Sequence, residues 1–283
     1  MDTVLYHANC NDGFCAAWLC HCHFPNANYI PVQYNQDLPD HKYIDNMDIL
    51  IVDFSYPREI LEEISNRSKN IKVLDHHKTA QKNLEGLEYC IFDVNKSGTR
   101  LTWEYLKSIG YYPASGTYTG MNWLVSYTED RDLWKHSLPN TQEINTALRS
   151  YPFDFETWDE LSRRTPESLI EEGRAIKRYK DTIINSHLEH IRFTLINDYK
   201  AAIVRCTIPN IASDIADEIF KSYDDINIAI INIEENDGDI YQLRSRNGVD
   251  VSEIAESYGG GGHKGAAAFK IPNFMKNSYK LPN

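Results

Sequence analysis

Positive charge is scarce in this chain. Of 283 residues, 29 are lysine or arginine against 41 aspartate or glutamate, for a formal net charge of −12. That balance argues against a protein that grips long nucleic acid through many phosphate contacts, because that requires net positive charge along a surface. It leaves room for a small phosphorylated ligand in a local pocket and for metal ions, which need carboxylates. Long apolar runs are also missing. None approaches the ~18–20 residues of a membrane span, so no membrane partner is expected. The opening MDTVLYHANC lacks the basic start and apolar stretch of a secretory leader, and the expected location is the cytoplasm. Cysteine is sparse: Cys10, Cys15, Cys20, Cys22, Cys90 and Cys206 are too few for a disulfide framework and are expected to be reduced. Within the run Cys20-His21-Cys22-His23 a helix would point neighbours in different directions. No second cluster completes a zinc set, so ordinary thiols are expected there.

What is present is a globular composition, 42% hydrophobic, at a length that suggests about two domains. In the first part, short apolar runs (Val4–Tyr6, Tyr29–Val32, Ile49–Val52, Ile71–Leu74 and Tyr89–Phe92) alternate with helix candidates Phe14–His23, Pro57–Ser68 and Gly98–Ile109. This alternation predicts an α/β domain with a parallel sheet covered on both faces. Thr165-Pro166 starts a long helical pattern running to Ile191, read as a connector. Beyond it, strand runs Phe193–Ile196, Ala201–Val204, Ile226–Ile233 and Ile240–Leu243, with helix candidates Ser213–Ser222 and Ser252–Tyr258, predict a smaller mixed-sheet α/β domain. Asp237-Gly238 is a hairpin signal. The expected division is 1–165 for the first domain, 166–191 for the linker helix and 192–283 for the second domain.

Polar residues cluster where the first-domain strands end. His7 follows the first strand, with Cys10 and Asp12 just beyond; Asp53 ends the third run, and Asp75-His76-His77 the fourth. Strand C-termini of an open parallel sheet share one edge, and ligands bind in the crevice there. Imidazoles mixed with carboxylates suit divalent transition metals better than calcium. Singly, each residue has a plain alternative as a helix cap, turn residue or solvated side chain; their joint occurrence at consecutive strand ends predicts a metal site.

Asp75-His76-His77 resembles the signature triplet of the DHH phosphoesterase superfamily, and other segments fit in order. His7-Ala8-Asn9-Cys10-Asn11-Asp12-Gly13 is similar to its first motif, Val52–Pro57 to its second, and Thr128-Glu129-Asp130-Arg131-Asp132-Leu133-Trp134 to its fourth. Near the end, Gly259-Gly260-Gly261-Gly262-His263-Lys264-Gly265-Ala266-Ala267 resembles the hallmark of the associated DHHA1 domain, and Leu243–Arg246 and Val249–Ser252 also fit it. The resemblance implies two bound ions, most often manganese, with magnesium or cobalt as alternatives. It implies that His7 holds the first ion, Asp53 bridges, and Asp12, His76 and Asp130 hold the second. Asp132 is the alternative to Asp130. Asp75 would orient the His76 ring, and His77 would face the substrate phosphate. The first motif departs from the family by carrying Cys10 where an aspartate is usual. Cys10 is either a thiolate ligand, which shifts preference away from magnesium, or a thiol beside the site.

The glycine tract has its own physical reading: consecutive glycines let backbone N–H groups approach an anion. Gly260, Gly261, Gly262 and His263, with Arg244 and Ser245, are therefore candidate substrate-binding residues. Ser97-Gly98-Thr99-Arg100 opens a helix and reads as a cap in preference to a phosphate site. The resemblance implies a metal-dependent phosphodiesterase acting on short oligonucleotides or on linear or cyclic dinucleotides, with nucleoside monophosphates as products. A polyphosphate or phosphoanhydride hydrolase and a nucleotide-binding sensor without turnover are the alternatives. Dimers are common among similar proteins, which makes a homodimer an expectation.

Overall fold

A computed structural model describes residues 1–34, 36–110, 123–196, 198–208 and 211–275. They divide into two compact units, Met1–Lys177 and Arg178–Asn283. No helix among the described residues is long and apolar enough to cross a membrane.

In the first unit, β1 (Thr3–His7), β2 (Asn28–Val32), β3 (Asp48–Val52), β4 (Asn70–Asp75) and β5 (Cys90–Phe92) form one parallel sheet in the order β2-β1-β3-β4-β5. Side chains alternate across it. Val4, Leu50, Val52 and Leu74 pack with Trp18 and Leu19 of α1 (Asn11–His23) and Leu101 of α4 (Gly98–Ser108). Leu5, Ile49, Ile51 and Val73 face the other way, onto Leu61 and Ile64 of α2 (Arg58–Arg67). The expected doubly covered sheet is thus present. α1 is buried over most of its length, which accounts for its apolar residues running round the whole helix. Cys20 lies in the core, and His21 stacks on Phe155 with centroids 4.2 Å apart.

A short α3 (Lys78–Asn83) follows β4. Residues 123–163 add three helices beyond the expected set: α5 (Trp123–Asp132), α6 (Thr141–Ser150) and α7 (Phe155–Arg163). Their buried residues Leu124, Ile144, Leu148 and Trp158 extend the α1 side of the core. The connector is one 3-10 turn, Pro166–Leu169, and α8 (Ile170–Leu188), within which the division between units falls.

In the second unit, β6 (Arg192–Ile196), β7 (Tyr199–Arg205), β8 (Ile228–Glu235), β9 (Gly238–Ser245), β10 (Gly261–His263) and β11 (Ala266–Pro272) form a mixed sheet. Its order is β10-β11-β9-β8-β7-β6, and only the β7–β8 pairing is parallel. α9 (Ala212–Ser222) covers one face through Ile215 and Ile219, and α10 (Val251–Ser257) the other through Val251 and Ile254.

Candidate metal centre

The strand order of the first sheet reverses direction between β1 and β3, and open α/β sheets bind ligands at the C-terminal edge of such a switch point. His7 ends β1 and Asp53 follows β3 at that point. Asp53 has a left-handed backbone, φ 56°, which turns the chain sharply off the strand end. Gly98, at the start of α4, lies directly against it. A Cβ added there would meet the Asp53 Cβ at 2.4 Å, so only glycine lets α4 approach this closely. Ser97 caps the same helix by accepting from Arg100 N, as expected.

Two sets of ligand atoms converge, one on each oxygen of Asp53. On one side, His7 Nδ1 is 3.4 Å from Asp53 Oδ2, and the ligand atoms of His7, Cys10 and Asp53 all lie within 4.8 Å of one another. On the other, His76 Nε2 is 3.1 Å from Asp53 Oδ1, 3.6 Å from Asp132 Oδ2 and 3.7 Å from Asp12 Oδ2. Asp12, Asp53 and His76 are almost fully buried. Asp12 is fixed from behind by α4, its carboxylate accepting from Gly98 N at 2.6 Å and Thr99 N at 3.0 Å. It thereby takes the anion position that a helix N-terminus favours.

Two expectations need correction. Asp130 is not brought into the cluster. It accepts from Ser137 N at 2.9 Å and Leu138 N at 3.2 Å and so braces the loop after α5, while Asp132 reaches His76. Asp75 does not orient the His76 ring but that of His77: Asp75 Oδ1 pairs with His77 Nδ1 at 2.7 Å and accepts from His76 N, and Oδ2 accepts from Ser55 Oγ at 2.6 Å. This pairing fixes the orientation of the His77 ring.

The electrostatics are those of a site built for cations. Burial, reinforced by the charges of Asp53 and Asp132, pushes the Asp12 carboxyl well up. Desolvation of its carboxyl end, with the Asp53 charge beside it, likewise raises Asp132, although the residue as a whole is exposed. Burial would raise Asp53 too, but the His7 and His76 imidazoles outweigh it and hold that carboxyl well below the usual range. Conversely, burial opposes charge on His7 and His76, yet Asp53 and Cys10 beside His7, and Asp132, Asp53 and Asp12 beside His76, raise both imidazoles well above their ordinary value. Asp75 is pulled down to about 2, the His77 imidazole offsetting burial. Asp53 Oδ1 is buried and makes no hydrogen bond among the described residues, although His76 Nε2 lies 3.1 Å away. A buried carboxylate oxygen placed this way can serve a cation as readily as it pairs with the charged ring. The residues present therefore fit a metal centre whose two halves share Asp53.

Three further side chains flank the centre. The Tyr34 ring lies 5.9 Å from His7, 6.3 Å from His77 and 4.7 Å from Phe54. Tyr34 follows the end of β2, so the strand-end rule that found His7 applied to it as well. Arg149, in the last turn of α6, reaches Asn11 Oδ1 at 3.5 Å; no local pattern announces it.

In the second unit, Arg244 on β9 donates through Nε to Ser213 Oγ at 3.0 Å and through Nη1 to the Leu243 carbonyl at 2.9 Å. Ser245 Oγ donates to the Val249 carbonyl at 2.7 Å. The glycine tract has a packing reason that the sequence did not reveal. Gly261–His263 form β10 against β11, and a Cβ on Gly260 would meet the Ala268 carbonyl oxygen at 2.1 Å. Gly262 has φ 144° and would meet the Ala266 carbonyl oxygen at 2.5 Å. Packing alone requires glycine at these two positions.

Residues 198–281 match the family model of the DHHA1 domain. A protein of Acanthamoeba polyphaga mimivirus is 30% identical over 289 residues, 94% of this chain, and the chain spans 66% of that protein's length. Among solved structures, the DHH domain of a member of the s1p family of ribosomal proteins has a TM-score of 0.61 at 13% identity, covering 98% of this chain and 84% of that one. An exopolyphosphatase-related protein from Bacteroides fragilis has a TM-score of 0.54 at 15% identity, covering 95% and 86%. A pGpG-specific phosphodiesterase from Vibrio cholerae has a TM-score of 0.51 at 14% identity, covering 98% and 96%. At these identities the three structures share a fold with this chain.

Proposed function

We propose that this chain is a DHH-type, manganese-dependent phosphodiesterase that cleaves short oligonucleotides or dinucleotides to nucleoside monophosphates, a reading supported by the DHHA1 match over residues 198–281 and by the fold shared with the three structures above. The observation that carries this reading is Asp53, with one carboxylate oxygen toward His7 and Cys10 and the other toward His76, Asp12 and Asp132. One ion would be held by His7, Cys10 and Asp53, the other by Asp12, Asp53, His76 and Asp132. Bound there, the ions supply an ionised water near neutral pH and offset the charge that builds on the attacked phosphoryl group.

The chain's own residues do the rest. Asp75 holds His77 by Nδ1, so that the ring turns Nε2 toward a phosphoryl or leaving oxygen as a general acid. Tyr34 and Phe54 supply an aromatic wall beside His7 and limit water on that side. Arg149 places a guanidinium beside the loop of the first motif. In the second unit, Arg244, Ser245, His263 and the backbone of Gly260, Gly261 and Gly262 are the groups we assign to substrate phosphate, arginine being suited to bidentate contact. The acidic net charge favours short substrates, because it disfavours nonspecific capture of a long polyanion.

The test compares nucleoside monophosphate release from a linear dinucleotide with phosphate release from polyphosphate, both with manganese, in the wild type and in Asp53→Asn. Monophosphate release that Asp53→Asn abolishes supports the reading. Phosphate release from polyphosphate with none from the dinucleotide replaces it with a phosphoanhydride hydrolase. Tight dinucleotide binding without turnover under any divalent metal replaces it with a sensor.

A further inference from the structure

The two halves of the centre differ in donor chemistry. The Asp12–His76–Asp132 half, completed by Asp53 Oδ1, offers one imidazole and carboxylate oxygens. The other half offers an imidazole from His7, a carboxylate oxygen from Asp53 and the sulfur of Cys10. Thiolates bind soft and borderline divalent ions such as zinc, cobalt and iron and contribute little to magnesium, whereas carboxylates suit magnesium and manganese.

The placement of Cys10 is specific. It occupies the N-cap of α1, where a side chain commonly bonds to the helix's first N–H groups, yet its thiol makes no such bond. It lies instead with His7 and Asp53. The other five cysteines join no ligand group among the described residues. Cys15 and Cys20 are in the core, Cys206 bonds to Ile208, Cys22 is exposed at the end of α1, and Cys90 sits on β5.

We propose that Cys10 is a thiolate ligand and that the centre is asymmetric: the His7–Cys10–Asp53 half takes a thiophilic divalent ion, and the Asp12–His76–Asp132 half takes a harder one. This rests on the reading of the cluster as a two-cation centre. Binding at the first half forms a metal–sulfur bond and releases the thiol proton to solvent, with no change of oxidation state. Two consequences follow. Magnesium alone fills one half per chain, and zinc or cobalt added to the manganese-loaded protein displaces manganese first from the His7–Cys10–Asp53 half. Replacing Cys10 by aspartate makes the halves alike in donor type and lets one hard ion serve both.

The experiment uses the full chain stripped of metal and titrated with cobalt(II). Wild-type protein is expected to bind two equivalents and to develop the intense near-ultraviolet thiolate-to-cobalt charge-transfer band. Cys22→Ser and Cys90→Ser keep the band. Cys10→Ser and Cys10→Asp lose it, with folding checked by circular dichroism. Cys10→Asp is expected to bind two equivalents of magnesium and to lower the preference for cobalt over magnesium by at least the ~10-fold that even an outer partner of a metal ligand is worth. Two bound equivalents of cobalt with no charge-transfer band would overturn the thiolate assignment and leave the two-cation reading standing. No cobalt bound at all would overturn both, and the proposed function with them.

Discussion

Charged side chains are wholly or partly buried in both units, but they are satisfied in opposite ways. In the second unit Arg246 donates to three backbone carbonyls, those of Ile226, Phe220 and Tyr223, and so ties the end of α9 to the strand that follows. Asp75 in the first unit is of the same kind, with both oxygens occupied by neighbours. Asp53, Asp12 and Asp132, by contrast, crowd one another around His76, and one buried oxygen of Asp53 accepts no hydrogen bond among the described residues. A charge whose partners are all fixed donors holds the fold. Charges facing one another across a few ångströms hold it less well and bind cations better. The contrast separates structural from functional ionisable groups without reference to any relative.

Substitutions can break or sharpen that division. The largest effect is expected at Asp53→Asn, which removes the shared charge. Activity should fall below detection, and metal analysis should find both ions weakened; retention of two tightly bound ions would place Asp53 on the structural side. His77→Ala comes next. Its expected cost is on the order of 10²–10⁴-fold in kcat, the usual worth of a proton donor, with metal content unchanged. Asp75→Asn acts on turnover mainly through His77 and should cost roughly 10–100-fold, as outer partners do, so most of its effect on kcat should vanish in the His77→Ala background.

The pH dependence of metal stabilisation is a subtler probe. Without cations the His7 and His76 imidazoles titrate well above 6.5. Their protonated forms therefore stabilise the metal-free fold fully below that value, and the contribution is lost as pH rises through the raised values. Cations need the neutral rings. The gain in Tm on adding manganese or cobalt should thus grow as pH is raised from about 6; a gain independent of pH would mean that protons and metal do not compete. The smallest effect on chemistry belongs to Arg246→Ala, which should cost about 1–3 kcal/mol of stability by stranding its carbonyl partners while leaving metal binding intact.

Much of this arrangement was legible in the sequence because parallel strands deliver their C-termini to one edge. His7, Asp53 and the Asp75–His77 triplet needed no more than that rule. What escaped depended on directions that spacing does not encode. Asp130 and Asp132 lie two positions apart on α5, about 200° round a helix, so only one can face His76, and the motif does not say which. Asp75 follows a strand by sequence but chooses its ring by the turn that comes after it. Arg149 arrives from a helix more than a hundred positions away. The glycines of the second unit announced close approach correctly, and the sequence was silent on what approaches: at Gly260 and Gly262 it is the neighbouring strand. The 3-10 turn that begins the connector is a local refinement of a helix start already marked by Thr165-Pro166.

The left-handed turn at Asp53, with Gly98 wedged beneath it, bears on how this protein can vary. A non-glycine residue in that conformation costs about 1–3 kcal/mol, and the chain meets this cost on folding, before an ion arrives, so the fork of the carboxylate is set in advance. On the proposed reading, a change of donor at position 10 retunes which ion is bound without disturbing that fork. A side chain at Gly98, which ligates nothing, would instead collide with Asp53 itself. In a saturation library scored for metal retention, the least forgiving site should be this silent neighbour rather than several of the ligands it supports.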